Sequence, residues 1–394
     1  MTESGHKATI DLAHAGDATL IGRVFRPELG GPSVVRVDGT RLVDISADFP
    51  TVRDLCEEVS PAAAAGAAKG EDIGSLEDVL ANTPVDARDI ARPHLLAPID
   101  LQAVKAAGVT FVVSMLERVI EERIRGDAGA AQEMRKRIVE LVGEDMRQLR
   151  PGSPEAAALK AELIKAGTWS QYLEVGIGPD AEIFTKAQPM SAVGTGVDIG
   201  VHPSSTWNNP EPEVALVVSS RGNIVGATLG NDVNLRDVEG RSALLLGKAK
   251  DNNGACAIGP FVRLLDDGFT MDAVRSLDVS LSVQGPEGYH LSGFSTLREI
   301  SRDPVDLVSQ AINEHHRFPD GLVLFLGTMF APIDDRDAPG KGFTHKTGDI
   351  VTISAPGLGA LVNRVAPTNE AEAWTFGAAQ LMRNLAHRGL LGPA

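Results

Sequence analysis

The chain has 394 residues and a formal net charge of −16, from 37 Lys and Arg against 53 Asp and Glu. A surface that acidic repels phosphate backbones and anionic lipid, which argues against nucleic-acid and membrane-surface partners. Hydrophobic residues are 43% of the chain and aromatics only 4%, so a sizeable aliphatic core is expected, with either two modules or one large domain carrying additions.

Met1-Thr-Glu-Ser-Gly-His-Lys7 has no apolar stretch, so no signal peptide is expected and a soluble, cytoplasmic protein is the reading. The front of the chain reads as a small β-rich module, residues 1–94. Ala18–Phe25, Pro32–Val37 and Arg41–Ile45 are β-branched runs separated by Gly-Gly and Asp-Gly turn signals. Thr51 opens a helical stretch. Residues 61–87, rich in Ala, Gly and Asp, read as connecting structure. The remainder, 95–394, reads as one larger body with a helical insertion at 112–168. Leu116, Val119, Ile120 and Ile124 recur there at helical spacing. A second helix is expected from Ala130 to Leu149, and a third is opened by Ser153-Pro154-Glu155 and closed by Gly167.

From Ser170 onward the pattern changes to short strands: Val214–Ser219, Asn223–Ala227, Leu277–Val283, Leu322–Leu326 and Asp349–Ile353. Helices are expected only at Pro304–Asn313 and Ala378–Arg388. Cys56 and Cys256 stand far apart with no metal-type spacing, which suits a reducing compartment. The fold class is mainly β with α additions.

The densest chemistry is Trp207-Asn-Asn-Pro-Glu211-Pro-Glu213. Residues i and i+2 of an extended segment share a face, so Glu211 and Glu213 can present two carboxylates together. Such a pair is costly without a cation, and oxygen ligands suit magnesium, manganese or calcium. The competing reading is two exposed glutamates on an edge strand. Asp232, at the end of the next strand, would be returned to the pair by a hairpin. Lys248 and Lys250 follow in a Gly/Asn-rich loop that leads to Gly259-Pro260.

This ordered set resembles the fumarylacetoacetate hydrolase superfamily: the Glu-x-Glu pair, Asn231-Asp232 with Arg236-Asp237, the lysine and Gly-Pro. Leu95–Pro98, Gly108–Phe111, Phe184-Thr-Lys186, Gly327-Thr328, Lys346–Asp349 and Gly357–Asn363 extend the likeness over residues ~95–366. The resemblance implies a fumarylacetoacetase-like β-sheet roll with a helical lid and a homodimer or higher homo-oligomer. It also implies a Mg2+ ion (Mn2+ or Ca2+ as alternatives) on Glu211, Glu213 and Asp232. Lys250, with Lys248 as runner-up, matches the family lysine. Thr328 matches a threonine that touches the substrate carboxylate, Arg236 lies beside the site, and Glu182 is a further acidic group near the metal.

One departure is informative. Family hydrolases carry a His and a Glu three residues apart on a lid helix, whereas this chain has Ser114 and Glu117 there. No histidine occurs between His94 and His202. Ser114-Met-Leu-Glu117 also fits a helix capping box. Loss of the dyad disfavours carbon–carbon hydrolysis and leaves enolate chemistry on a 2-oxo acid, with Glu117 or Lys250 as base and Ser114 in the position of the histidine. The insertion, Trp169–Val175 and Trp207–Glu213 are most similar to the 2-keto-3-deoxy-pentonate dehydratases. A xylonate- or arabinonate-derived substrate would lose water to give 2,5-dioxopentanoate in non-phosphorylating pentose breakdown. The alternatives are an acylpyruvate-type hydrolase or oxaloacetate decarboxylase, and a non-catalytic metal-binding scaffold.

Overall fold

The computed structural model describes residues 18–124, 149–165, 167, 169–330, 332, 334–339 and 341–392. The expected helix from Ala130 to Leu149 lies almost wholly outside them. Among the described residues eighteen strands follow in chain order. The large sheet takes β1 (Leu20–Arg26), β2 (Gly31–Asp38), β3 (Arg41–Asp44), β4 (Glu71–Ser75), β5 (His94–Leu96), β6 (Ala103–Gly108) and β7 (Glu182–Ala187). After β8 (Asp198–Val201) and β9 (Asn208–Asn209), it takes β10 (Pro212–Val218) and β11 (Ile224–Asp232). Beyond β12 (Asn234–Leu235) come β13 (Cys256–Leu264), β14 (Asp278–Gln284), β15 (His290–Thr296), β16 (Leu322–Phe325), β17 (Ile350–Ala355) and β18 (Gly359–Pro367).

The large sheet runs β4-β3-β2-β1-β13-β11-β10-β16-β6-β7, with β5 also paired to β1. The front strands are therefore continuous with the body, because β1 registers Leu20 opposite Arg263 of β13. A second sheet has the order β15-β14-β17-β18-β8, and β9 pairs with β12. Segment 61–87, expected as connection, instead holds short helices at Pro61–Ala67 and Leu76–Ala81 and strand β4. Its periodicity is weak because each piece is only a turn or two long.

β10 shows why its sequence is apolar throughout. Val214, Leu216 and Val218 face a core shared with Val279, Leu281 and Ile353 of the second sheet. Ala215 and Val217 face the opposite core, with Val52 and Leu55 of the helix Val52–Cys56. A strand buried on both faces loses the polar half of its alternation. Thr51 caps that helix as expected, in a reciprocal capping box with Asp54.

The insertion forms a separate helical layer. Helix Val112–Ile124 packs Met115, Val119 and Ile120 against Tyr172, Leu173 and Ile177 of helix Gln171–Ile177, with Trp207 alongside. Helix Pro154–Lys165 starts with proline, and Ser153 Oγ accepts from Ala156 N at 3.1 Å. Gly167, at φ +69°, follows its end, a left-handed position that favours glycine. No helix among the described residues is long and apolar enough to cross a membrane.

Candidate active site

The β10–β11 hairpin builds the centre. Asp232 N donates to Glu211 O at 3.1 Å, and Pro212 stands opposite Asn231. This register sets Asp232, at the strand end, beside Glu211 and Glu213. All three are buried, and each offers a carboxylate oxygen within 4.8 Å of the others. The carboxylate of Glu213 also accepts from Gly327 N at 2.6 Å. Gly327 has φ +84°, and a Cβ there would run into Thr110 Oγ1. That position requires glycine, and the turn it makes places Thr328 in the cleft.

Burial first, then the charges of Asp232 and Glu211, push Glu213 well above the usual carboxylate range. Asp232 goes the other way. Burial opposes its ionisation, but Lys186 and Lys250 outweigh that and lower it. Lys250 Nζ donates to Glu211 Oε2 at 2.5 Å and to Asp232 Oδ2 at 2.9 Å. Burial favours its neutral amine, yet Asp232 and Glu211 together raise its pKa and hold it as an ammonium. Lys248 is exposed to solvent. Lys186 is fully buried behind this layer: its Nζ is 2.8 Å from Asp232 Oδ1 and donates to Val233 O at 3.0 Å and Lys250 O at 2.6 Å.

Helix Val112–Ile124 closes one wall. Arg118 Nη2 donates to Glu211 Oε1 at 2.5 Å, and Nη1 lies 3.1 Å from Glu239 Oε2. Glu117, the preceding residue, lies 3.5 Å from Arg236 Nη2. The Arg236 guanidinium sits 4.3 Å from the centre of the Trp207 ring and donates to Pro332 O at 3.0 Å. Ser114 is not the N-cap of this helix, which begins two residues earlier. Its hydroxyl donates back to Phe111 O at 2.9 Å, so the capping-box expectation for Ser114 and Glu117 is corrected.

Glu182, at the start of β7, stands opposite Gly108 of β6. A Cβ on Gly108 would overlap the Glu182 carboxylate, so the glycine makes the space this side chain occupies. Burial raises the Glu182 pKa to about 7, with the charge of Glu239 adding to it and Arg118 and Lys250 partly offsetting it.

One cleft is lined by all nine residues singled out in the sequence: Ser114, Glu117, Glu182, Glu211, Glu213, Asp232, Arg236, Lys250 and Thr328. Sequence reasoning missed Arg118, Lys186 and Glu239 as members of the same charge network. Lys186 was quoted within a motif, and its zero exposure in a strand is the signal that only the fold supplies. Among the described residues, Glu117, Glu182, Glu211, Glu213, Asp232 and Glu239 are six carboxylates facing four cations, Arg118, Lys186, Arg236 and Lys250. Fully ionised, that set has an excess of two negative charges, which one divalent cation balances. The oxygen donors of Glu211, Glu213 and Asp232 fit a magnesium-type ion.

Comparison with known proteins places the chain beside a family and a fold. The family described as fumarylacetoacetate (FAA) hydrolase C-terminal matches residues 165–366. A probable 2-keto-3-deoxyxylonate dehydratase of Haloferax volcanii is 28% identical over 324 residues, which are 82% of this chain and 91% of that protein. The 2-dehydro-3-deoxy-D-arabinonate dehydratase of Saccharolobus solfataricus is 34% identical over 187 residues, covering 47% of this chain and 58% of the relative. Among solved structures, 2-keto-3-deoxy-D-arabinonate dehydratase complexed with magnesium and 2,5-dioxopentanoate superposes with a TM-score of 0.61. The match is 22% identical and covers 89% of this chain and 99% of that one. At that identity the likeness speaks for the fold.

Proposed function

The chain belongs to the fumarylacetoacetate hydrolase family, and on that premise we propose that it is a metal-dependent dehydratase of a 2-keto-3-deoxy-pentonate, releasing water and 2,5-dioxopentanoate. The observation that carries this reading is the convergence of three buried carboxylates, a buried lysine and an acid of raised pKa on one cleft. Among the described residues that line the cleft there is no histidine, which favours dehydration over the histidine-dependent hydrolysis of other members. The likeness to two dehydratases supports the same choice.

Glu211, Glu213 and Asp232 would hold the divalent cation. When bound, such an ion supplies positive charge that polarises a 2-oxo acid and stabilises negative charge developing on its oxygens. Lys250, kept as an ammonium between Glu211 and Asp232, adds a fixed positive charge beside the same oxygens. The hydroxyl of Thr328, at the turn after β16 and lining the cleft, would bind the substrate carboxylate.

The C3 proton needs a base that is partly ionised near neutral pH. Glu182, raised to about 7, meets that condition without belonging to the ligand set. The protonated Glu182 can then return its proton to the departing C4 hydroxyl. Glu117 is the second candidate, oriented by Arg236, and Ser114 can bind a substrate hydroxyl from the same helix. Lys250 is poorly suited as base because its two carboxylate partners retain its proton. The reading includes a small 2-oxo sugar acid as the partner molecule, a cytoplasmic setting and a homo-oligomeric assembly.

The test is turnover of purified protein with Mg2+ on 2-keto-3-deoxy-pentonate, an acylpyruvate and oxaloacetate. Aldehyde formed from the sugar acid alone is the expected result. Pyruvate or carbon dioxide from the other two would move the assignment to the hydrolases or decarboxylases, and no turnover would leave a scaffold. Glu213→Gln should abolish metal-dependent turnover, and an unchanged rate would overturn the ligand assignment.

A further inference from the structure

Both oxygens of Glu211 are engaged by cationic side chains. Lys250 takes Oε2 and Arg118 takes Oε1, each at 2.5 Å. Lys250 is anchored on a second proposed ligand, Asp232, and sits at the end of a short helix within the body. Arg118 differs in both respects. Among the described residues it also meets Glu239, outside the ligand set, at 3.1 Å, and it belongs to helix Val112–Ile124 in the separate helical layer. A divalent cation that binds Glu211 competes with these two cations for the charge of its carboxylate. Releasing Lys250 would strip charge from Glu211 and Asp232 together, whereas releasing Arg118 frees Glu211 alone and leaves the guanidinium on Glu239.

We propose that Arg118 is an internal competitor of the metal: cation binding displaces it from Glu211, and this exchange makes the position of helix Val112–Ile124 depend on metal occupancy. The inference rests on the metal reading above. Its significance lies in the adjacent residue. Glu117 is carried on the same turn and is held by Arg236 at 3.5 Å, so a shift of Arg118 also resets the cleft-facing carboxylate beside it. Arg118 is thus a positioning residue, with Glu239 as its resting partner in the loaded site.

The experiment is calorimetric titration of the full chain with Mg2+ and with Mn2+, comparing wild type, Arg118→Met and Arg118→Lys. Removing a competing positive charge beside Glu211 should tighten cation binding about tenfold in Arg118→Met, and Arg118→Lys should remain near wild type. A purely structural arginine would leave the affinity of a folded variant unchanged or weaken it, and either result overturns the proposal. Hydrogen exchange over residues 112–124 gives a measurement that needs no variant. Saturating Mg2+ should change the protection of that segment in the wild type, and unaltered protection refutes the coupling even if Arg118→Met fails to fold. A wild type that takes up neither cation would overturn the metal reading along with this one, whereas normal uptake with unchanged variant affinity overturns this one alone.

Discussion

Replacing Lys186 with methionine keeps an unbranched chain of similar length but removes a charge that is buried to zero exposure. The Asp232 carboxylate would lose the partner 2.8 Å away, and the carbonyls of Val233 and Lys250 would lose their donor at 3.0 and 2.6 Å. Breaking a buried ion pair from one side costs about 3–5 kcal/mol, because the remaining charge keeps its desolvation penalty. Lys250 still touches Asp232 Oδ2, so a loss at the lower end, about 3 kcal/mol, is expected. Urea unfolding followed by circular dichroism, with a chelator present so that bound cation does not mask the change, measures it. The double variant Lys186→Met with Asp232→Asn removes both charges and should recover more than about 1 kcal/mol of the single loss, as expected for directly coupled groups. A single-variant loss below about 1 kcal/mol, or a double variant whose losses simply add, would refute the view that this lysine secures the ligand carboxylate.

Glu182 predicts a pH effect. Its folded pKa near 7 exceeds the ordinary value of 4.5, so the folded state holds a proton that the unfolded state has released. The Glu182 contribution to stability should therefore fall as pH rises from about 4.5 to 7, and Glu182→Gln should remove that part of the decline in metal-free unfolding curves. An identical slope in the variant would count against the raised pKa. Gly108→Ala, which places a methyl group against the Glu182 carboxylate, should lower turnover at least about tenfold, measured as kcat/KM on the sugar acid. Turnover at the wild-type level would show that Glu182 can be displaced without consequence.

The centre of the cleft was legible because local geometry sets it. Glu211 and Glu213 are two apart in an extended segment stiffened by Pro212, and the β10–β11 hairpin returns Asp232 to them. Chain-local rules reach that far. Arg118 looks like one more charged residue on a helix rich in them, and Lys186 like a solvated strand residue. Their roles depend on Glu211, Glu239 and Asp232, which lie far along the sequence. The capping reading of Ser114 fails for a related reason. The S-x-x-E pattern is a capping signal only at a helix start, and this helix starts two residues before Ser114, at Val112. In the fold, the long apolar strands were visible, whereas β13, interrupted by Gly259-Pro260, and β18, which carries Gly359, Asn363 and Pro367, were not.

The pairing of β1 with both β2 and β13 bears on how the molecule is assembled. On one side the first strand meets its sequence neighbour, and on the other, residue 20 waits for residue 263. During synthesis the front hairpin can form early and β5 can cover Arg23–Phe25 soon after, but the Leu20–Ile21 end of the inner edge stays unpaired until most of the chain has emerged. Contacts of such long sequence separation slow folding and leave an exposed strand edge in the interval. The nascent chain is therefore most open to wrong strand partners before β13 arrives. Fragments that stop short of that strand are expected to aggregate, even though each contains an intact front hairpin.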